Sequence, residues 1–444
     1  MGGVGAPLVR LVVLNFNGGE LLERCVDHLE ALDWPEDRLE IVVVDNDSSD
    51  GSDRVVDARP RVRVVRSGRN AGFPANNLGL RDLEGVDYVG LVNNDAFLEP
   101  GYLAPLIAAL ESSPSIGAAC PKILLAHRFV PTVLTTSTRR VPGDPRALGI
   151  QISGLEVGGE ARWGHLQWGT GCYAPEQGPV EIGPFRWTPA AAEIGVPVLA
   201  GDAVARLRVS APSATELTVD AGAGTVTATA GPEPTWVELP LVPERVDLIN
   251  NVGSRLVDGG YVGDRGFLER DVGQYDVAQD VFAWCGAGVL FRPEYLADVG
   301  LFDERFFMYY EDTDLAWRGR LRSWRYRYEP AAVMRHVHAA TAVEGSPMFN
   351  HFVQRNRLAM LTKNAPRSVV ASALAHDLKD LLVFGWRDIG LRLARGRRPA
   401  PRFVLARARS LGAYVRMLPG LLADRRRIRS TRTVPDEAVM GWVE

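Results

Sequence analysis

Gly90-Leu91-Val92-Asn93-Asn94-Asp95 decides how this chain reads. With Tyr88 and Val89 it forms a short apolar run, closed downstream by Pro100-Gly101. Such a run is a buried strand that ends in a polar tip. In an open α/β sheet, ligands gather outside the carboxyl ends of the strands. Asp95 at such a tip suits a divalent cation, and a cation there suits a diphosphate. Asn-Asn-Asp also suits a plain turn, so the flanking sequence has to choose.

Working outward, Val9 to Phe16, Leu39 to Val44 and Arg61 to Val65 are further apolar strands. Glu20 to Leu32 places Leu21, Leu22, Cys25, Val26, Leu29 and Leu32 on one helical face. Asn70-Ala71-Gly72-Phe73-Pro74 turns into a short helix through Leu80, and a helix from about Tyr102 to Leu110 precedes a strand near Ile116 to Cys120. Strand and helix alternate at βα spacing, which predicts an α/β fold with a doubly wound, mostly parallel sheet. The first βα turn, Asn15-Phe16-Asn17-Gly18-Gly19, is not GxGxxG and argues against a dinucleotide-binding domain. The second runs Asp45-Asn46-Asp47-Ser48-Ser49-Asp50. It can N-cap the next helix, or Asp45 can accept the imide N–H of a uracil or thymine.

After Leu125 helical periodicity stops until about residue 290. Arg206–Val209, Leu217–Val219 and Thr225–Thr229 alternate between turns, which predicts an inserted all-β, sandwich-like module over 126–246. Its Trp163, Trp168, Trp187 and Trp236 could stack on sugars or simply fill a core. From Phe282 the α/β pattern resumes with Trp284-Cys285-Gly286-Ala287-Gly288, then Phe306 to Tyr310, then Glu311-Asp312-Thr313-Asp314. The helix expected from Thr313 puts Asp312 at a helix N-terminus, where the dipole favours a carboxylate. His336 and His338 alternate on a strand and so face one side.

Apolar residues at 46% and charged residues at 23% describe an ordinary globular chain, and its 444 residues predict two or three units. Cys25, Cys120, Cys172 and Cys285 form no CxxC, so neither a disulfide framework nor a zinc site is expected. The strand pattern begins within about ten residues of Met1 with no signal-peptide core, and a cytoplasmic chain is expected. The net charge of −4 hides an asymmetry: Arg387 to Arg432 holds 14 arginines and two acids, +12, leaving −16 elsewhere. Such a tail points to an anionic partner. Asp377, Lys379 and Asp380 rule out a span at Leu378–Trp386. Leu391 to Leu422 interleaves arginine with apolar residues, as interfacial helices on anionic bilayers do, or as an internally packed basic face would. No nucleic-acid module accompanies the charge, and no nucleic-acid partner is expected.

Taken in order, Asp45 within VVVDNDSSDGS, Asn70-x-Gly72, Asn77-x-Gly79, LVNND ending at Asp95, Gly286-Ala287-Gly288, GLFDERFFMYYEDTDLAWR and His336 resemble a family 2 glycosyltransferase of GT-A fold. The resemblance covers about residues 8–125, the nucleotide-sugar half, and 247–365, the acceptor and catalytic half, and leaves 366–444 as the basic helical tail. Within the family it leans toward the rhamnosyltransferase-like branch of bacterial cell-wall and surface polysaccharide synthesis.

The resemblance implies a role for each motif. Asp45 contacts the base, and Asn15, Asn17, Asp47, Asn70, Gly72, Asn77, Asn93 and Asn94 lie on the donor side. Asp95 and His336 hold Mg²⁺ or Mn²⁺, with His338 open as the alternative histidine. Asp312 is the general base with Glu311 beside it, and Trp284, Gly286, Ala287 and Gly288 face the acceptor. Asn93 stands where the motif often has Asp. The implied activity is inverting, metal-dependent transfer from a UDP or dTDP sugar, dTDP-rhamnose among them, to a lipid-linked or polymeric glycan. The implied place is the inner face of the cell membrane, where the protein is peripheral. The alternative is a glycan-binding scaffold on a transferase fold.

Overall fold

The structure is a computed structural model that describes residues 5–141, 143–179, 182–337 and 346–444. His338 lies outside the described residues. The chain forms two compact units: one comprises residues up to Ala126, Ile249–Leu268 and Gly273–Glu444, the other His127–Leu248 with Glu269–Val272. Where an unbroken 126–246 insertion was expected, Glu269–Val272 returns to the second unit.

The first unit begins β1 (Val9–Asn15), α1 (Gly19–Glu30), β2 (Leu39–Asp45), α2 (Ser52–Asp57), β3 (Val62–Arg66), β4 (Tyr88–Asn93), β5 (Ala96–Leu98), α3 (Leu103–Glu111) and β6 (Ile116–Leu125). After the second unit come the strand Gly288–Phe291, α4 (Pro293–Val299), α5 (Glu311–Arg320), the strand Arg325–His336, α6 (Pro347–Asn364) and α7 (Arg367–Gly385). The ten-stranded sheet runs Gln279–Asp280, Arg325–His336, β6, Gly288–Phe291, β4, β1, β2, β3. Two short strands flank this path: Ile249–Asn251 on β6, and β5 on Arg325–His336.

The parallel expectation holds for β3-β2-β1-β4 and for β6 beside Arg325–His336. Gly288–Phe291 corrects it, because this strand runs antiparallel to both β4 and β6 and makes the sheet mixed. Both faces are covered, which is why the strands read as continuous apolar runs. Leu11 and Val13 of β1 pack with Leu22, Val26 and Leu29 of α1. Val12, between them in sequence, joins Trp284, Phe291, Trp317 and Tyr326 in the core of the opposite face.

The second unit is all-β, with two main antiparallel sheets of six and five strands. Along Val204–Ser210 and Thr215–Asp220 buried and open positions alternate, and Leu134, Leu155, Leu207, Leu217 and Val219 from the two sheets share one core. Trp168 is half-buried, edge-on to Trp163 at 5.2 Å with the Arg186 guanidinium 4.8 Å from its ring. Trp187 is half-buried against Phe185, and Trp236 is exposed.

α7 and the long helix Arg402–Thr431 both contact α6. Tyr414 Oη meets Thr362 Oγ1 at 2.7 Å, and Arg407 bonds Asp377 at 2.5 Å and Asp380 at 3.1 Å. Part of the basic tail is therefore packed internally. Leu382, Phe403 and Leu405 on the same helices, and Trp386 just after α7, remain more than half exposed. Among the described residues no helix is long and apolar enough to cross a membrane.

Candidate active site

Strand register aligns the tips of the sheet. Asn15 ends β1 opposite Asp45 at the end of β2, while Leu14 stands opposite Asn93 at the end of β4. Asn15 is fully buried, and its amide nitrogen donates to Asp45 Oδ1 (3.1 Å), Ser48 Oγ (3.0 Å) and Ser52 Oγ (2.9 Å). Its Oδ1 accepts from Asn94 Nδ2 at 3.1 Å. One asparagine thus ties three strand ends together. Asp45 Oδ2 also accepts the Ser48 N–H at 3.2 Å, so its carboxylate is held in one orientation. Asn17 Oδ1 accepts the Ser49 N–H at 2.8 Å, and Asp47 is exposed at φ 68°, which shapes the loop between them.

Asn46, a residue the sequence reading passed over, joins this tip to the next loop. Its amide donates to Asn70 Oδ1 (3.0 Å) and to the Gly72 carbonyl (3.2 Å), and its Oδ1 accepts the Ala71 N–H (2.8 Å). Gly72 has φ +70°, and a Cβ there would lie 2.0 Å from the Phe307 carbonyl oxygen, so only glycine fits. Asn77 departs from its expected donor-side role. Its amide clamps the Phe302 backbone at both ends, Nδ2 to the carbonyl at 2.9 Å and Oδ1 from the N–H at 3.0 Å. Both polar ends are spent inside the protein.

Asn94 and Asp95 form the turn between β4 and β5, and β5 pairs with the late strand so that Ala96 faces His336. This pairing brings Asp95 Oδ1 within 3.0 Å of His336 Nε2, both side chains buried. His336 Nδ1 lies 2.9 Å from Asn250 Oδ1, which accepts its N–H and turns Nε2 toward Asp95. Asn93 Nδ2 lies 3.3 Å from the same Nε2.

Two adjacent ligands on an octahedral Mg²⁺-sized ion, each at about 2.1 Å, stand about 3 Å apart. The Asp95–His336 separation fits that arrangement. Among the described residues no group of three or more His, Cys, Asp or Glu side chains gathers, so the protein offers two donors and leaves other positions to ligand oxygens and water.

The N-terminus of α5 lies against Gly286. Asp312 Oδ1 accepts the Thr313 N–H at 2.6 Å, and Oδ2 faces the Gly286 N–H at 3.4 Å. Burial pushes its carboxyl up, the Thr313 N–H pulls it down, and the Asp264 carboxylate adds to the rise, for a pKa of about 6. Glu311 is buried deeper, and burial with the neighbouring Asp312 charge raises it well above the ordinary range. Of the two carboxyls expected here, Asp312 is the less buried and the one whose oxygen faces the Gly286 N–H. Asp314 is fully buried among Arg318 (3.0 Å), Lys363 (2.7 Å) and Asn364 (2.8 Å), a structural charge cluster.

Trp284 is a correction. It is 1% exposed with its ring edge-on to Phe291 and Phe302, so it belongs to the core and cannot reach an acceptor. The Ala287 carbonyl accepts the Asn93 N–H at 3.0 Å, and a Cβ at Gly288 would lie 2.1 Å from Met334 Sδ. Close packing explains these two positions. Gly286 alone of this stretch turns a backbone donor to Asp312.

The stretch before α5 is strained. Phe307, Tyr309 and Tyr310 take φ of 66°, 70° and 67°, which bulky residues avoid. Asn356 of α6, fully buried, aims its amide nitrogen at the carbonyls of Phe306, Met308 and Tyr309 at 2.9, 2.7 and 2.8 Å. Its distance in sequence from these partners left no signal by which to find it.

Residues 11–130 match the sequence model of Glycosyl transferase family 2. Glycosyltransferase GlyG of Streptococcus pneumoniae serotype 4 is 31% identical over 111 residues, 24% of this chain and 36% of that protein. Beta-monoglucosyldiacylglycerol synthase of Synechocystis is 31% identical over 131 residues, 28% of this chain and 27% of that protein. The chain therefore spans 36% and 27% of these curated relatives' own length. Among solved structures, GalNAc-T7 with UDP, GalNAc and Mn²⁺ aligns at a TM-score of 0.46 and 11% identity, covering 81% of this chain and 48% of that one.

Proposed function

We propose that this protein is an inverting glycosyltransferase that takes a sugar from a nucleoside-diphosphate donor, a UDP or dTDP sugar, and passes it to a lipid-linked or polymeric glycan. The observation that carries the reading is the Asp95–His336 pair, oriented by Asn250 at the same sheet edge as Asp45 and Asp312. The match of residues 11–130 to a glycosyltransferase family supports it.

Each residue then has a task. Asp45, fixed by Asn15 and Ser48, accepts the imide N–H of the base and selects a uracil or thymine nucleotide. Asp95 and His336 would hold Mg²⁺ or Mn²⁺, which neutralises charge on the departing diphosphate. Asp312 takes the proton of the acceptor hydroxyl while that oxygen bonds to the anomeric carbon and the bond to the diphosphate breaks. The proton ends on Asp312, the electron pair on the nucleoside diphosphate, and attack from the face opposite the leaving group inverts the centre. A rhamnosyl donor is the finer reading that the resemblance favours.

Leu382, Trp386, Phe403 and Leu405, exposed among Arg387, Arg392 and Arg402, give the tail an interfacial character suited to an anionic inner-membrane surface. A lipid-linked acceptor would be met there.

A thermal-shift panel of nucleoside diphosphates, with and without Mn²⁺, on wild type and Asp95→Ala tests the proposal. A UDP- or dTDP-selective rise that needs metal and is lost in the variant is expected. No rise with any nucleotide, from folded protein, points instead to a glycan-binding scaffold.

A further inference from the structure

Arg367, Arg425, Arg429 and Arg432 converge with Asp436 on a cavity of about 390 Å³. None of the five belongs to the site around Asp95 and Asp312. Four guanidiniums against one carboxylate leave +3 on the cavity wall (+4 and −1).

Part of this charge is structural. Arg425 donates to the Thr362 and Ala365 carbonyls at 2.8 Å each, and Arg429 to those of Asn364 (3.0 Å) and Ala365 (2.8 Å), closing the end of α6. Asp436 pairs with Arg429 and, at 3.1 Å, with Arg432. What is left over points to a ligand. Arg367 is exposed and opens α7, and its side chain makes no hydrogen bond or ion pair among the described residues. It stands where the first-turn N–H groups of a 19-residue helix add to the positive field. Burial, then the neighbouring Arg429, Arg367 and Arg432 charges, hold the Arg425 guanidinium below its usual range even though Asp436 opposes them. The net charge on the cavity wall is positive.

We propose that this cavity binds a phosphate-class anion, a phosphate ester or diphosphate, with Arg367 and Arg432 closing on it from the rim. Guanidinium forks match phosphate oxygens bidentately, and several converging on one cavity select a di- or trianion over a monoanion such as chloride. A soluble phosphate compound and a phospholipid headgroup share this chemistry. The site is independent of the activity proposed above.

The test uses the full chain in EDTA, which removes metal-dependent binding at Asp95. Pyrophosphate is titrated at ionic strength held constant with sodium chloride, and Tm is read for wild type, Asp95→Ala and the double variant Arg367→Gln/Arg432→Gln. A saturable rise of about 2 °C is expected. It should persist in Asp95→Ala and vanish in the double variant. Neither substituted arginine caps α6, so the double variant should match wild-type Tm in chloride alone. A parallel flotation with phosphatidic acid–phosphatidylcholine vesicles, whose phosphomonoester headgroup approaches a dianion, against phosphatidylcholine alone, assigns the source. A fivefold or greater loss of floated double variant identifies a lipid headgroup; unchanged flotation with the pyrophosphate effect intact identifies a soluble phosphate. No rise beyond chloride together with unchanged flotation, or a rise that the double variant keeps, overturns the site.

Discussion

His336 Nε2 stands 3.0 Å from Asp95 Oδ1 because the pairing of β5 with the Arg325–His336 strand sets Ala96 opposite His336. The contact is made by backbone register, and Asn250 Oδ1 on Nδ1 then fixes which nitrogen faces the carboxylate. Two segments far apart in sequence are thus joined at one candidate metal position.

That geometry gives Asn250→Ala a defined effect. Removing the acceptor on Nδ1 frees the ring and its tautomer, and losses of this kind cost about 10–100-fold in metal affinity. The half-maximal Mn²⁺ concentration for nucleotide-dependent thermal stabilisation should rise by that factor while Tm without ligand changes little. An unchanged Mn²⁺ midpoint would remove His336 from the metal site.

On the proposed reading, Asp312 sets the pH dependence. Its pKa of about 6 means that the base is protonated and inactive in acid, so kcat/KM should climb about tenfold per pH unit below 6 and level above it. Stability moves the other way. An acid whose folded pKa exceeds its usual 3.8 is costly to ionise in the folded state, so the penalty is absent below the unfolded value and grows as pH rises through about 6. Asp312→Asn should therefore raise stability at pH 8, by an amount on the order of 1–3 kcal/mol, and leave it unchanged near pH 3. Asparagine can still accept the Thr313 N–H. The same variant should lose about 10²–10⁴ in kcat. Denaturant unfolding at the two pH values, beside a pH–rate profile, checks both halves; a variant with near-wild-type kcat would move the base elsewhere.

What the sequence made legible follows from what kind of interaction sets each feature. β1, β2 and β4 are buried on both faces, and such strands declare themselves as unbroken apolar runs with polar tips. Direction does not declare itself, since an apolar run reads the same either way, and so the antiparallel sense of Gly288–Phe291 is not legible in its sequence. Asp95, Asp45 and Asp312 stood out through the ordered set of motifs around them, since each alone also suits a turn or a helix cap. Asn46, Asn250 and Asn356 did not, because each is a single polar residue whose partners lie far off in sequence. Asn77 and Trp284 misled for the converse reason: the residue type suits a ligand, but Phe302 lies within reach of both. In the tail, composition gave the charge. It could not say which arginines the carbonyls at the end of α6 would consume.

Trp284 separates packing from binding. Truncation to alanine in a fully packed core should cost about 3–5 kcal/mol. Trp284→Phe should cost far less, since it keeps an aromatic ring against Phe291 and Phe302. Acceptor KM in Trp284→Phe should equal that of wild type. A rise of about tenfold or more in that KM, with Tm held, would return the residue to the acceptor site.

Asn356 carries the last prediction. Non-glycine residues at positive φ cost about 1–3 kcal/mol each and persist only where surroundings hold them. Phe307, Tyr309 and Tyr310 are such residues, and the Asn356 amide faces three carbonyls of this segment immediately before Glu311 and Asp312. Asn356→Asp keeps the size and replaces the donor with a carboxylate aimed at those oxygens. The segment should relax and Asp312 shift against Gly286, and a misplacement of about 1 Å costs about 10²-fold in rate. Asp45, Asp95 and His336 lie on other elements, so nucleotide-dependent thermal stabilisation should survive while kcat falls by that factor. Equal loss of nucleotide binding and kcat would make the residue a general support of the fold; loss of kcat alone makes it the residue that positions the base.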